Sequence, residues 1–165
     1  MSNNTIKIQF LGAAGTVTGS KYLITAFGKN ILIDCGLFQG LKELRLLNWE
    51  PLSFPPAQID VVLLTHAHLD HTGYLPRLVK EGFTGNIIGT SPTLQVAEII
   101  LKDSAKIQEE DAVRANKHKY SRHKPALPLY GLDDVEATLP LMKSKPLNEW
   151  FHINENIRYR FRYNG

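Results

Sequence analysis

The sequence predicts an α/β layered sandwich, and three observations predict it. Its first third alternates short β-rich runs with turns, its middle carries helical periodicity, and it closes on two further strand-like segments. Strands, then helices, then strands again is the order in which a sheet is laid down, covered and extended.

Each element follows from its own residues. Ile6-Lys7-Ile8-Gln9-Phe10-Leu11 alternates apolar and polar with period two, as a half-buried strand does, and Gly12-Ala13-Ala14-Gly15 breaks it. Tyr22-Leu23-Ile24-Thr25 and Ile31-Leu32-Ile33-Asp34 flank Phe27-Gly28-Lys29-Asn30 as the arms of a β-hairpin. Val61-Val62-Leu63-Leu64-Thr65 is a continuous apolar run of strand length, expected to be buried on both faces. Residues 74–80 read as a short helix. Ser91 is expected to cap a longer one, with Pro92 at its first position and Leu94, Val96, Ala97, Ile99, Ile100 and Leu101 following. Residues 133–142 read as another helix, with Lys143 and Lys145 placed to answer its C-terminal dipole. Residues 150–153 and 157–163 are strand-like, joined by an Asn-rich turn.

The bulk composition excludes several classes. At 165 residues, 43% apolar and 21% charged, the chain is expected to form one domain, 1–165, with a sizeable core. No apolar run is long enough to cross a bilayer, and Ser2-Asn3-Asn4-Thr5 lacks a signal pattern, so no membrane role and a cytoplasmic location are expected. A single cysteine, Cys35, excludes an internal disulfide and any multi-cysteine zinc site. It lies in an apolar run, where a buried and chemically silent thiol is expected. The net charge of +3 is weak evidence on its own for a nucleic-acid partner.

The informative segment is Thr65-His66-Ala67-His68-Leu69-Asp70-His71, which holds three of the six histidines of the chain within six residues. That concentration is hard to reach by chance, so the cluster is read as a metal site. Imidazole and carboxylate are the donors zinc accepts where thiolate is absent; manganese and iron accept them too. A tight loop leaving a buried strand lets His66 and His68 grip one ion while Asp70 and His71 reach a second. Two ions about 3.5–4 Å apart can share a bridging hydroxide and clamp attacking and leaving oxygens. His66, His68, Asp70 and His71 are therefore the candidate metal ligands, and Asp70 and His71 also the candidate catalytic pair. Gly73 relieves the crowding of such a loop. Four ligands do not close two sites, so others must come from elsewhere.

TxHxHxDH at the end of an apolar strand resembles the signature of the metallo-β-lactamase fold. The resemblance implies the N-terminal half of an αββα sandwich, a mixed β-sheet flanked by helices. An upstream strand of that family ends in an aspartate that orients a ligating histidine from behind, and Asp34 matches it; an Asp that merely ends a strand in a turn is the alternative. Residues 10–20, the run Asp70-His71-Thr72-Gly73-Tyr74-Leu75-Pro76 and Pro128-Leu129-Tyr130 are similar to the β-CASP branch, which contains RNA-processing nucleases. The branch implies zinc (two ions in the full-length protein), RNA as partner, a later metal histidine, a bridging aspartate and a cap domain. In relatives the later histidine follows a strand and an Ala-Gly-like pair; here 157–163 is followed by Asn164-Gly165. The expectation is an N-terminal piece that ends just short of that histidine, with metal binding and activity weak or absent on its own. A homo-oligomer formed through an uncovered edge is a further expectation. His118, His123 and His152 match no ligand pattern.

The stretch 117–124 is the most basic in the chain. Lys117, Lys119, Arg122 and Lys124 are candidate RNA contacts, with a solvated connection between helices as the alternative. Three functions compete: a zinc-dependent hydrolase cleaving RNA phosphodiesters; another hydrolase on the same fold, such as a thioesterase, lactonase or β-lactamase; and a non-catalytic RNA-binding scaffold.

Overall fold

Alternating apolar residues build a six-stranded mixed sheet, seen in a computed structural model that describes residues 5–121 and 123–164. Strands β1 (Lys7–Gly12), β2 (Lys21–Ala26) and β3 (Lys29–Ile33) form an antiparallel meander. The β2–β3 turn is Phe27-Gly28, with φ of 47° and 73°; both residues lie in the left-handed region that a two-residue hairpin turn needs. Strands β4 (Val61–Leu63), β5 (Asn86–Gly89) and β6 (Met142–Ser144) then add in parallel to β3, giving the order β1-β2-β3-β4-β5-β6.

Period two divides the core. Leu23, Leu32, Val62 and Ile87 are all but fully buried on one face, against Leu75 and Leu78 of α3 (Leu75–Lys80), Leu94, Leu101 and Ala105 of α4 (Ser91–His118) and Val135 of α5 (Leu132–Thr138). Their neighbours Ile31, Val61, Leu63 and Ile88 belong to a second cluster on the opposite face. That face is roofed by Ile153, Ile157, Tyr159 and Phe161, carried on or beside a small hairpin of β7 (Phe151–His152) and β8 (Arg158–Tyr159). The roof stops short of the sheet edge, where Ile6, Ile8 and Phe10 stay 58–62% exposed. Two short helices, α1 (Lys42–Leu46) and α2 (Leu69–Thr72), complete the chain. Among the described residues no helix is long and apolar enough to cross a membrane.

The structure corrects three local expectations. Thr90, not Ser91, caps α4; its side chain accepts from the Thr93 N–H, and Ser91 and Pro92 fall inside the first turn. The helix expected over 133–142 ends at Thr138 and passes through a 3₁₀ turn into β6. Lys143 therefore lies in a strand and Lys145 just after it, where the Lys145 N–H donates to Gly89 O at 2.9 Å. The Lys143 ammonium still reaches back to donate to Pro140 O at 2.9 Å in that 3₁₀ turn, whereas the Lys145 ammonium lies over the Phe151 ring. The Leu139-Pro140-Leu141 run keeps an apolar pattern that hides this change from helix to strand.

Because β3, β4, β5 and β6 are parallel, their C-terminal ends share one edge of the sheet. The loops that leave it begin at Asp34, Leu64, Thr90 and Lys145. Open α/β sheets place their chemistry at such an edge.

Candidate metal centre

The motif loop leaves β4 at Leu64 and turns into α2, and its backbone is clamped from behind. Ser20 N–H donates to Asp70 O at 2.9 Å, Cys35 N–H to His71 O at 2.7 Å and Leu37 N–H to Leu69 O at 3.1 Å. Gly36 makes this approach possible: any Cβ there would overlap the carbonyl of Asp70. Gly73 is required for a similar reason, since its Cβ would stand 2.5 Å from Leu69 O and 2.9 Å from Leu37. The Thr72 hydroxyl closes the turn onto the carbonyls of Ala67 and His68, both at 3.1 Å.

One buried carboxylate organises the side chains. Asp34, 2% exposed at the end of β3 with φ of 58°, accepts from Thr65 N–H at 2.7 Å, from the Thr65 hydroxyl at 2.7 Å and from His71 Nδ1 at 2.8 Å. Aspartate is among the few residues that tolerate this left-handed conformation. A carboxylate only accepts, so His71 carries its proton on Nδ1 and leaves the Nε2 lone pair free. The Thr65 hydroxyl spends its single proton on Asp34 and lies 2.9 Å from His66 Nδ1. It must therefore accept from His66 Nδ1–H, which frees His66 Nε2 as well. Asp34 thus sets the tautomer of two imidazoles, one directly and one through Thr65.

The freed atoms face partners. His66 Nε2 stands 3.2 Å from His68 Nδ1, and His71 Nε2 stands 3.5 Å from Asp70 Oδ2. Two ligands held at 2.0–2.1 Å on one tetrahedral zinc stand about 3.3 Å apart. The nitrogen and oxygen donors fit such an ion in kind and in spacing, two per ion. The His66 and His71 rings lie 4.0 Å apart between centroids, so the pairs adjoin. The four side chains come together as two facing pairs; among the described residues no group of three or more His, Cys, Asp or Glu is placed to hold one ion. Burial, then the neighbouring His71 and His68, push the pKa of His66 below the ordinary histidine value, which keeps its ring neutral and able to ligate.

A cleft of about 890 Å³ opens beside His66, lined by Thr65, Ser91, Thr93, Lys145 and Arg162 among others. These donors and cations escaped the sequence reading because they come from four separate segments. Thr65 was within reach of it: a hydroxyl directly before the first histidine, at the exit of a strand parallel to the one that ends in Asp34. The other expected residues lie elsewhere. Lys117 lies in the last turn of α4, and Lys119 and Lys124 sit in the exposed turn beyond it, far from the cleft along that helix; Arg122 lies outside the described residues. His118, His123 and His152 are exposed. Cys35 is buried and unpaired, and burial pushes its thiol up to about 12, which leaves it unreactive.

The chain belongs to the Metallo-beta-lactamase superfamily, whose sequence model matches residues 14–127. The resemblance to that superfamily and its β-CASP branch agrees with the particular relatives it matches. It is 39% identical over 148 residues to Ribonuclease TTHA0252 of Thermus thermophilus, covering 90% of this chain and 30% of that protein. It is 34% identical over 125 residues to Transcription termination factor FttA of Methanosarcina mazei (70% of this chain, 20% of that one). It is 36% identical over 119 residues to the Integrator complex subunit 11 homolog of Dictyostelium discoideum (68% and 16%). The chain thus spans less than a third of the length of these relatives. Among solved structures it resembles MEM-A1, a subclass B3 metallo-beta-lactamase from a soil metagenome library, with a TM-score of 0.50 and 16% identity over 94% of this chain and 49% of that one. This likeness concerns the fold alone.

Proposed function

We propose that this chain forms the metal-binding part of a zinc-dependent hydrolase that cleaves RNA phosphodiester bonds. The observation that carries the reading is the pair of facing donor sets, His66 with His68 and Asp70 with His71, fixed from behind by Asp34. His66 Nε2, His68 Nδ1, Asp70 Oδ2 and His71 Nε2 would hold the ions. The chemistry that such a metal pair supplies when bound is Lewis acidity towards water and phosphoryl oxygen. The residues of the chain do the rest. Asp34 and Thr65 hold the imidazoles in the ligating tautomer, so no reorganisation is needed when substrate arrives. Thr65, Ser91 and Thr93 offer hydroxyls to phosphate oxygens, and Lys145 and Arg162 supply positive charge at the same cleft. The N-terminus of the 28-residue α4 opens onto this cleft and adds the positive end of its dipole. A cleft so furnished suits a phosphodiester better than a neutral acyl substrate, and the similarity to a ribonuclease over 90% of the chain supports the same choice.

The test is a comparison of substrates. Zinc-loaded full-length protein is assayed against single-stranded RNA, a β-lactam and a thioester. RNA cleavage is expected, removed by a chelator and by His68→Ala, with the far-UV circular dichroism of the variant unchanged. A higher kcat/KM for the β-lactam or the thioester would overturn the reading.

A further inference from the structure

At the other end of α4 the surface changes character. From Ala112 to Gly131, twenty residues carry five Lys or Arg and no Asp or Glu, in a chain whose net charge is +3. The remaining 145 residues therefore sum to −2, and the positive charge of the molecule is concentrated here. Lys117, Lys119 and Lys124 are exposed. Lys119 ends the helix with φ of 55° and turns the chain back along it. The returning strand is pinned: Asn116 Nδ2 donates to Ala126 O at 2.9 Å, Ala126 N–H to Asn116 Oδ1 at 2.8 Å, and Leu129 N–H to Gln108 Oε1 at 3.2 Å.

Between helix and return lies a shallow groove of about 390 Å³ with an apolar floor of Ala112, Ala115, Leu127 and Pro128. Two aromatic side chains flank it, Trp49 at 50% exposure and Tyr120 at 63%. Trp49 is brought here from a distant loop by its neighbour Asn48, whose side chain bonds Phe38 N–H and O, both at 2.9 Å. Asp111, the acidic group at the rim, stands 3.8 Å from Arg114.

We infer that this groove is a stacking platform for single-stranded RNA, with bases on Trp49 and Tyr120 and phosphates on Lys117, Lys119 and Lys124. The inference rests on the RNA reading above and adds to it a place where substrate is held away from the cleaved bond. Exposed aromatics beside unbalanced positive charge are what an unpaired strand requires: each base has a face to stack, and each phosphate needs a cation. A protein partner suits the groove less well, since Lys117, Lys119 and Lys124 would have to be matched or desolvated. From Thr93 in the cleft to Ala112 in the groove is nineteen residues of helix, about 28 Å at 1.5 Å per residue. Only a strand long enough to bridge that distance engages both sites.

The test reads binding apart from cleavage. Anisotropy of a fluorescein-labelled oligouridylate is measured with the full-length protein in excess chelator. Trp49→Ala and Tyr120→Ala each weaken binding by about fivefold or more, whereas Trp49→Phe and Tyr120→Phe retain most of it. Replacing Lys117, Lys119 and Lys124 by Gln lowers the slope of log Kd against log salt by about 2. The probe quenches tryptophan fluorescence, and Trp49→Phe, which retains binding, removes that quenching. His68→Ala removes cleavage and leaves all of this intact, so failure of the hydrolase reading is distinguishable from failure of the platform. Unchanged affinity in both alanine variants overturns the platform, as does equal affinity for a duplex of the same length, whose bases are not free to stack. Quenching of Trp49 that follows protein concentration without RNA overturns it too, by seating a second copy in the groove.

Discussion

The two ends of helix α4 obey opposite rules. At its N-terminal end the motif loop is tied back to a carboxylate 2% exposed, which accepts from Thr65 and His71, and two glycines are required by backbone packing. At its C-terminal end the lysines extend into solvent, and the order resides in the backbone hinge held by Asn116 and Gln108. The hydrolysis proposed above needs donor atoms fixed to a few tenths of an ångström, and here a buried carboxylate fixes side chains that themselves stay partly exposed. Holding a strand needs charge and aromatic area, which work best uncovered. On the proposed reading, the same helix spans both requirements.

That contrast can be broken most forcefully at Gly36. Gly36→Val drives a side chain into the Asp70 carbonyl and should cost at least about 3 kcal/mol in urea unfolding, because the neighbour is backbone and cannot move aside. A loss under about 1 kcal/mol would show that the motif loop is not clamped. The triple Lys→Gln change at 117, 119 and 124 should alter stability by no more than about 0.5 kcal/mol, as exposed substitutions do.

A smaller effect is expected behind the ligands. Asp34→Ala should weaken zinc affinity by about 10–100-fold, measured by competition with a chelator, since it releases both His66 and His71. Thr65→Val frees His66 alone and should cost about tenfold or less. Equal losses from the two substitutions would mean that the direct bond to His71 contributes nothing.

The smallest expected effect concerns a lysine at the rigid end. Lys21 is buried between the rings of Phe38 and Tyr74, with Nζ 4.7 Å from each centroid. Burial lowers its amine to about 8, from 10.5 when the chain unfolds. Between those values the unfolded chain binds more protons than the folded one, so stability rises with pH. From pH 9 upward Cys35, raised from 9.0 to about 12 in the fold, works in the opposite sense. Stability should climb by about 1 kcal/mol from pH 8 to pH 9 and then level off. Lys21→Met should abolish the climb; if the slope persists, another group is its source.

Much of this architecture was legible in the residues because it is local. Period-two alternation marks β1, the run Phe27-Gly28-Lys29-Asn30 marks the first hairpin although its last two residues pair within β3, and HxHxDH concentrates its donors in six positions. What stayed hidden arises from assembly. Lys21 reads as the polar start of a strand, and only the folding of Phe38 and Tyr74 over it makes it a core residue. Met142-Lys143-Ser144 carries no strand signal of its own and pairs because Ile87-Ile88-Gly89 offers it an edge. Trp49 lies in a segment without periodicity, so its neighbourhood with Tyr120, seventy-one positions away, is set by the Asn48 clamp rather than by any pattern.

The Asp34 fork has a consequence for how this protein can change. One carboxylate governs the proton on two imidazoles that belong to different donor pairs. A lineage that alters residue 34 therefore does not retire one of the two proposed metal positions while keeping the other; it disturbs both donor pairs in a single step. Descendants wanting a mononuclear centre would have to vary the donors themselves, at residues 66 to 71, and leave the aspartate behind them in place.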